Sequence, residues 1–124
     1  MRHNITDGGM KAAGFNEYND CVVRALSLAS GISYPAMHKE MAELGRKNRC
    51  RTKSFWTDWA DEWCGPRVNY EKGKMTVLKF IQLNPKGRFV IRIRGHAFAV
   101  IDGVIHDTWE QRPGSWVISS WEFE

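Results

Sequence analysis

The sequence has no apolar run that approaches the roughly 20 residues needed to cross a bilayer as a helix. Its first residues, MRHNITD, lack the apolar core of a secretory signal peptide. It also shows no internal repeat and no low-complexity segment. We therefore predict a single domain over residues 1–124 that makes no use of a membrane and resides in the cytoplasm, where thiols stay reduced.

Cysteine is scarce, and the count of three is odd. Cys50 and Cys64 could pair, but nothing in their spacing requires a disulfide. Together with His3 and His38 they show neither a Cys-x-x-Cys nor a His-x-x-x-His spacing. The sequence therefore predicts no metal site and no cofactor.

Acidic residues are outnumbered, with 18 Lys and Arg against 14 Asp and Glu. The net charge of +4 permits an acidic partner without requiring one. Five basic residues cluster in one connection, namely Arg46, Lys47, Arg49, Arg51 and Lys53. This connection is interpreted as a solvated loop; alternatively it docks on an acidic protein or a phosphate backbone. No aromatic residue interleaves with it, which disfavours single-stranded nucleic acid.

Helical patterns come first along the chain and strand patterns follow. Capping residues and glycine stops predict helices over 19–31, 33–45, 54–65 and 76–83. Alternating β-branched residues predict strands over 67–71, 89–94, 96–101, 104–109 and 116–118. Residues 1–18 are interpreted as an irregular lead-in. This order predicts an α+β fold in which N-terminal helices, with a central first helix, pack on a C-terminal antiparallel sheet.

Tryptophan is unusually frequent, with six residues in the chain. Trp56, Trp59 and Trp63 fall at helical spacings of three and four, which places them on one face of the third helix. Packing in the core is the preferred interpretation of this face. A substrate groove is the alternative.

The dipeptide Asp102-Gly103 is a strong signal for a two-residue hairpin turn. Such a turn pairs Ile101 with Val104. In that register His96 and Asp107 lie on one face of the hairpin as diagonal neighbours. The backbones at the two positions are about 7 Å apart. A shift by one residue would separate them. The hairpin therefore offers an imidazole with a carboxylate that can orient it.

Cys21 stands at the start of the first predicted helix, where free N–H groups and the helix dipole favour a thiolate. The segments NDCVVRAL at 19–26 and GHAFAVIDGVIHDTW at 95–109 resemble the papain-like cysteine peptidase superfamily. The likeness is to its small members, including uncharacterised phage-encoded ones. The resemblance implies acyl transfer, with Cys21 as nucleophile, His96 as general base and Asp107 as the residue that orients it.

In that family a side-chain amide five or six residues before the cysteine helps to hold the oxyanion. Asn16 stands five residues before Cys21 and is the first candidate, and Asn19 is the second. The chain is also similar to cell-wall amidopeptidases, in which a second histidine completes the site. That residue would be His106, which the hairpin register places on the opposite face from His96.

The sequence thus predicts a cysteine hydrolase that acts on a peptide or isopeptide bond of a peptide or protein substrate. A non-enzymatic protein on a degenerate peptidase scaffold, which binds a host protein as a phage factor would, is the alternative from another class. A cell-wall amidopeptidase is a further alternative. If the chain is phage-encoded, its location is the host cytoplasm.

Overall fold

The computed structural model describes residues 1–124 and has an α+β architecture of four helices and one six-stranded mixed sheet. The helices are α1 (Cys21–Ser30), α2 (Tyr34–Glu43), α3 (Phe55–Cys64) and α4 (Val77–Leu83). The strands are β1 (Arg2–Ile5), β2 (Val68–Asn69), β3 (Arg88–Ile93), β4 (His96–Ile101), β5 (Val104–Asp107) and β6 (Ser119–Phe123). Across the sheet the strands follow the order β1-β5-β4-β3-β6-β2. None of the helices is long and apolar enough to cross a membrane.

The helices start and stop where capping chemistry places them. The Ser33 hydroxyl accepts a hydrogen bond from the Ala36 amide at 3.4 Å, and the Thr76 hydroxyl accepts one from the Lys79 amide at 3.1 Å. Helix α1 ends at Gly31, whose φ of 80° is the left-handed conformation that glycine adopts without strain. The predicted positions of all four helices are confirmed to within two residues at each end.

The sheet separates two apolar cores. On one side α1, α2 and α3 pack against Val90, Ala97, Ala99 and Trp121. On the other side α4 packs against Phe89, Ile91, Phe98, Val100 and Ile105. Neighbouring residues of β3 and β4 alternate between the two cores, as the two-residue period of a strand requires. Because α1 is apolar on most sides, it lies in the middle of the first core, as predicted.

The hairpin between β4 and β5 has the predicted register. Ile101 pairs with Val104, and Ala99 pairs with His106. Both turn residues have positive φ, 49° at Asp102 and 76° at Gly103, as a tight two-residue hairpin turn requires. This register fixes which side chains of the two strands share a face.

The helix of tryptophans divides between core and surface. Trp56 is 5% exposed and its ring centroid lies 4.8 Å from that of Trp121. Trp59 stacks on Trp63 at 5.3 Å, and Trp63 remains 53% exposed. Core packing therefore holds for Trp56, whereas Trp63 lies at the outer end of the predicted face.

Two predictions about the sheet are wrong. Residues 1–18 are not wholly irregular, because Arg2–Ile5 forms β1 and pairs with β5 in parallel, which makes the sheet mixed rather than antiparallel. The last strand is Ser119–Phe123 rather than 116–118, where Trp116 makes only an isolated bridge to Thr76. The short polar segment of β1 carries no periodic signal, so long-range pairing decides that case. In β6 the buried Trp121 and Phe123 alternate with exposed Glu122, a strand signal that the sequence prediction missed.

The serines of β6 are accommodated by buried polar contacts. The Ser119 hydroxyl donates to Asn69 Oδ1 at 2.8 Å, and Ser120 Oγ lies 2.9 Å from the Tyr70 hydroxyl. A buried strand can contain hydroxyl groups when each one has a partner.

Candidate active site

Cys21, His96 and Asp107 lie together at one margin of the sheet. His96 Nε2 donates a hydrogen bond to Asp107 Oδ2 at 2.6 Å. Because the carboxylate can only accept, Nε2 holds the proton and Nδ1 is the ring nitrogen left for the thiol. Cys21, half-buried at the first position of α1, interacts with this ring and lines the same two cavities.

The residues that follow His96 along β4 show why it can reach the thiol. Phe98 and Val100 face the α4 core, on the side of the sheet away from α1. His96 is the first residue of β4 and Asp107 is the last of β5, so both lie where the sheet ends. The thiol and the imidazole therefore meet around the edge of the sheet rather than across its face.

The pKa values of the thiol and the imidazole move in opposite directions. Burial raises the pKa of Cys21, but the hydrogen bond and charge of His96, the Ala97 amide and the Arg24 guanidinium outweigh it and hold the pKa below its usual range. Burial lowers the pKa of His96, but Asp107 and Cys21 outweigh it and raise that pKa to about 9. Each partner favours the charged form of the other, so the contact shifts the pair toward a thiolate and an imidazolium.

Asp107 has hydrogen-bond partners on both of its oxygens. The Thr108 amide donates to Oδ1 at 2.7 Å, and the Gln111 side chain donates to Oδ2 at 2.7 Å. Gln111 is buried, and its backbone N–H donates to His3 Nε2 at 3.1 Å. These contacts hold the carboxylate in one orientation beneath the imidazole.

Arg24 lies one helical turn beyond Cys21 and points to the same place. It is 8% exposed and forms ion pairs with Asp20 and, at 3.5 Å, with Asp107 Oδ1. Sequence reasoning missed Arg24, although a single charge in the apolar stretch CVVRALSLAS was a detectable signal. A buried cation in such a helix needs acidic partners.

Asp20 precedes the thiol, and although aspartate is a favoured capping residue, its side chain does not cap α1. It occupies the capping position without making a side-chain cap hydrogen bond. Its carboxylate is buried and bonds to Arg24 and to the Tyr34 hydroxyl, the latter at 2.8 Å. Burial and the neighbouring Asp20 raise the pKa of Tyr34, so this hydroxyl remains a donor. The negative charge of Asp20 is therefore neutralised away from the sulfur.

Trp109 covers the exposed side of the imidazole. Its ring stacks on His96 with centroids 4.7 Å apart and an interplanar angle of 25°, while 53% of the residue stays exposed. The hairpin register predicts this position opposite His96, but the sequence assigned Trp109 no role. An indole in this place shields the bond between His96 and Asp107 from water.

Two cavities meet at the thiol. One, of about 160 Å³, extends toward Trp56 and Arg92 on the α3 side. The other, of about 470 Å³, extends toward Lys11 and Trp109. Both are lined by Asn19, Cys21, Arg51, Gly95 and His96. The site is therefore a groove that passes the sulfur and continues on both sides of it.

The two oxyanion candidates are placed differently. Asn19, with a φ of 55°, lines both cavities beside Cys21, and its amide donates to the Arg49 carbonyl at 3.1 Å. Asn16 is exposed and lines a separate cavity with Glu17 and His38. The structure brings Asn19 to the thiol and leaves Asn16 apart from it.

His106 lies on the hairpin face opposite His96, as the register predicts. Its Nδ1 is 3.0 Å from the side-chain amide of Asn4 on β1, and burial lowers its pKa. It lines neither of the two cavities that meet at Cys21.

The basic connection is anchored more firmly than a solvated loop would be. Arg46 is 5% exposed and pairs with buried Glu17 at 3.1 Å, and the Arg49 amide donates to the same carboxylate at 2.8 Å. Arg51 Nη1 donates to the Gly95 carbonyl at 3.1 Å. Of the five basic side chains, only those of Lys47 and Lys53 make no hydrogen bond or ion pair.

The remaining cysteines and histidines do not gather around any point. Cys50 and Cys64 are free thiols, and no group of three or more His, Cys, Asp or Glu side chains is placed to hold a metal ion. The cysteine and histidine that do lie together with a carboxylate are those of the Cys21 site.

Comparison with known proteins gives no relative from which a role could be transferred: no family model, no curated protein and no solved structure matches the chain.

Proposed function

We propose that the chain is a papain-like cysteine hydrolase that cleaves a peptide or isopeptide bond, with Cys21 as nucleophile, His96 as proton carrier and Asp107 as the residue that orients the imidazole. One observation carries the proposal. Asp107 holds His96 by Nε2 at 2.6 Å, and the other side of that ring meets the thiol where two cavities join. This is the nucleophile–base–orienter arrangement that covalent catalysis requires.

In the first half of the reaction the Cys21 thiolate attacks the carbonyl carbon of the scissile bond. The C–N bond then breaks, and the His96 imidazolium gives its Nδ1 proton to the departing amine. A thioester remains on Cys21. In the second half His96 takes a proton from water, which attacks the thioester and releases the carboxylic acid and the thiolate.

The start of α1 can stabilise the oxyanion that forms in each half. The first N–H groups of a helix have no acceptor within it, and Asp20 does not cap them. In this proposal the backbone N–H of Cys21 is the main donor. The side-chain amide of Asn19 donates one hydrogen to the Arg49 carbonyl, and its other hydrogen is the second donor to the oxyanion. One such donor contributes about 10²–10³ in rate. The groove on both sides of the sulfur suits an extended substrate.

The amidopeptidase alternative has less support. It needs a second histidine behind His96, and that place is taken by Asp107. His106 instead faces Asn4 on β1.

A chromogenic acyl donor tests the proposal without knowledge of the natural substrate. Thiolate attack on p-nitrophenyl acetate leaves an acetyl thioester and releases p-nitrophenolate, so the wild type should give a burst of one equivalent per chain. Cys21→Ala should abolish the burst, whereas Cys50→Ala, which changes an exposed thiol outside the groove, should retain it. A Cys21→Ala variant with the full burst would refute the proposal and favour the non-enzymatic binding protein.

A further inference from the structure

The smaller cavity beside Cys21 has cationic lining and no acid. Arg51 and Arg92 both border it, and no Asp or Glu does. Neither guanidinium takes part in an ion pair. Elsewhere near the site, Arg24 and Arg46 are each paired with a carboxylate. The charge of Arg51 and Arg92 is therefore available to a ligand.

The two arginines are held in different ways. Arg92 is partly buried on β3, between Ala97 of β4 and Ser119 of β6 in the sheet. Arg51 is exposed but is tethered through Nη1 to the Gly95 carbonyl, beside His96. Because a partly buried charge is screened less by water, Arg92 should contribute the larger share of any attraction.

Neutral donors complete the lining. Thr52 borders this cavity, and its hydroxyl is buried and has no hydrogen-bond partner. Ser54 lies next to it and makes no side-chain cap hydrogen bond to α3. A buried hydroxyl without a partner is uncommon, and a ligand oxygen would satisfy it.

The larger cavity differs in charge. Three cations border it, namely Lys11, Arg24 and the shared Arg51, but so do three acids, Asp7, Glu17 and Asp20. An anionic group beside the sulfur is therefore attracted into the smaller cavity, whereas the charges that line the larger cavity largely cancel. A substrate with one anionic end should bind along the groove in one orientation.

We infer that the cavity formed by Arg51, Arg92, Thr52 and Ser54 is a substrate subsite that binds a carboxylate next to the scissile bond. The inference rests on the proposed function, since it assigns the subsite to the same nucleophile. The carboxylate comes either from an acidic side chain or from the free C-terminus of the substrate, and both sources present the same group to a guanidinium. The hydrolase is thereby selective for acidic peptides or for peptides that end near the cleaved bond.

Three alkylating reagents test the subsite on the whole chain. Iodoacetyl-glycinamide is neutral, iodoacetyl-glycine ends in a carboxylate, and the α-amide of iodoacetyl-glutamic acid carries only a side-chain carboxylate. In each case the Cys21 thiolate displaces iodide and forms a C–S bond. At least one anionic reagent should react with Cys21 about tenfold faster than the neutral one. Which of the two it is identifies the source of the carboxylate.

Variants of Arg92 attribute the preference to the cavity. Arg92→Gln should remove most of the tenfold ratio of anionic to neutral rates, Arg92→Lys should keep most of that ratio, and Arg92→Glu should bring it below one. Arg94→Gln is the matched control, because it removes the same charge from an exposed residue that borders another cavity. The alkylation rate of Cys50, an exposed thiol, shows how much the net charge of the protein alone changes the rate with each reagent.

The outcomes separate this inference from the proposed function. If Cys21 reacts with the neutral reagent no faster than Cys50, the hydrolase itself fails. If the neutral reaction is fast but neither anion is preferred, the subsite alone is refuted. A preference that Arg92→Gln and Arg94→Gln reduce equally also refutes the subsite, because it then reflects net charge.

Discussion

Arg24 Nη2 lies 3.5 Å from Asp107 Oδ1, so the helix that carries the thiol is joined directly to the strand that carries the orienting carboxylate. The same guanidinium pairs with Asp20, the residue before Cys21. Arg24 thus connects Asp20, next to the thiol, with Asp107, next to the imidazole.

Replacing Arg24 with Met should destabilise the fold and weaken catalysis together. The change leaves two buried carboxylates without their cation, which costs roughly 3–5 kcal/mol in the free energy of unfolding. Urea denaturation at pH 7 measures the loss. The double variant Arg24→Met/Asp20→Asn should recover part of it, since one of the stranded charges is gone. A single variant as stable as the wild type would contradict the burial argument.

Cys21 should be the fastest of the three thiols at neutral pH. Its pKa lies below the usual value, whereas burial and the nearby Asp61 raise the pKa of Cys64 to about 11. The thiolate is the reactive form, so iodoacetamide at pH 6–7 should label Cys21 first and Cys64 last. Peptide mapping by mass spectrometry gives the order. Equal labelling of Cys21 and Cys50 would mean that the ion pair with His96 is not formed.

Activity should fall above pH 9, because the leaving amine needs the proton of His96 and the pKa of that residue is about 9. Asp107→Asn removes the charge that supports the imidazolium. We expect the alkaline limb of the rate profile to move to lower pH and the rate below it to drop by about 10²-fold or more. Because p-nitrophenolate leaves without this proton, the test needs an amide substrate, and the hydrolysis of a peptide p-nitroanilide over pH 5–10 measures both effects.

Asp102→Asn is the matched control for that change. It makes the same substitution at the exposed turn of the same hairpin, where asparagine also tolerates positive φ. Its rate profile should follow the wild type. An unshifted limb in Asp107→Asn would mean that His96 does not depend on this carboxylate.

Glu17 anchors the loop that brings Arg51 to the groove. Burial raises its pKa, but Arg46, His38 and the Arg49 amide outweigh it and hold the pKa at about 2 in the folded chain, against a usual value of 4.5. The carboxylate therefore stabilises the fold above pH 4.5, and this contribution is lost as the pH falls toward 2.

Glu17→Gln should lower the free energy of unfolding by roughly 3 kcal/mol at pH 7, because Arg46 then loses its buried partner. The gap between wild type and variant should narrow steadily as urea titrations are repeated from pH 5 to pH 2.5. Glu43→Gln, at an exposed position of α2, is the control and should show no gap. A gap that does not change with pH would contradict the assigned ionisation.

Local sequence signals were sufficient to predict the contact between His96 and Asp107. The Asp102-Gly103 turn fixes the register of the hairpin, and the register places His96 against Asp107. The helix start at Cys21 follows from the turn that precedes it and the apolar run that follows. These features depend on neighbours in the chain, which the sequence displays directly.

Contacts between distant segments could not be predicted in this way. From the sequence Asp20 looks like an ordinary helix cap. In the folded chain its carboxylate instead accepts hydrogen bonds from Arg24 and from the Tyr34 hydroxyl. Gln111 carries no motif, yet it supports Asp107 once the chain has folded back. The meeting of the thiol and the imidazole likewise depends on how α1 sits at the sheet edge, which periodicity does not specify.

The parallel pairing of β1 with β5 has a consequence for how the chain folds. Ile5 pairs with Asp107, and the Thr6 amide donates to the Asp107 carbonyl at 2.8 Å, so the strand that holds the orienting carboxylate is completed by residues from the far end of the chain. Closing a loop of that size costs entropy, so we expect this pairing to form after the local contacts of the hairpin. The hairpin can form early from its own turn, but its outer strand is fixed only when β1 docks. We therefore expect Asp107 to reach its final position late in folding, when β1 has paired with β5.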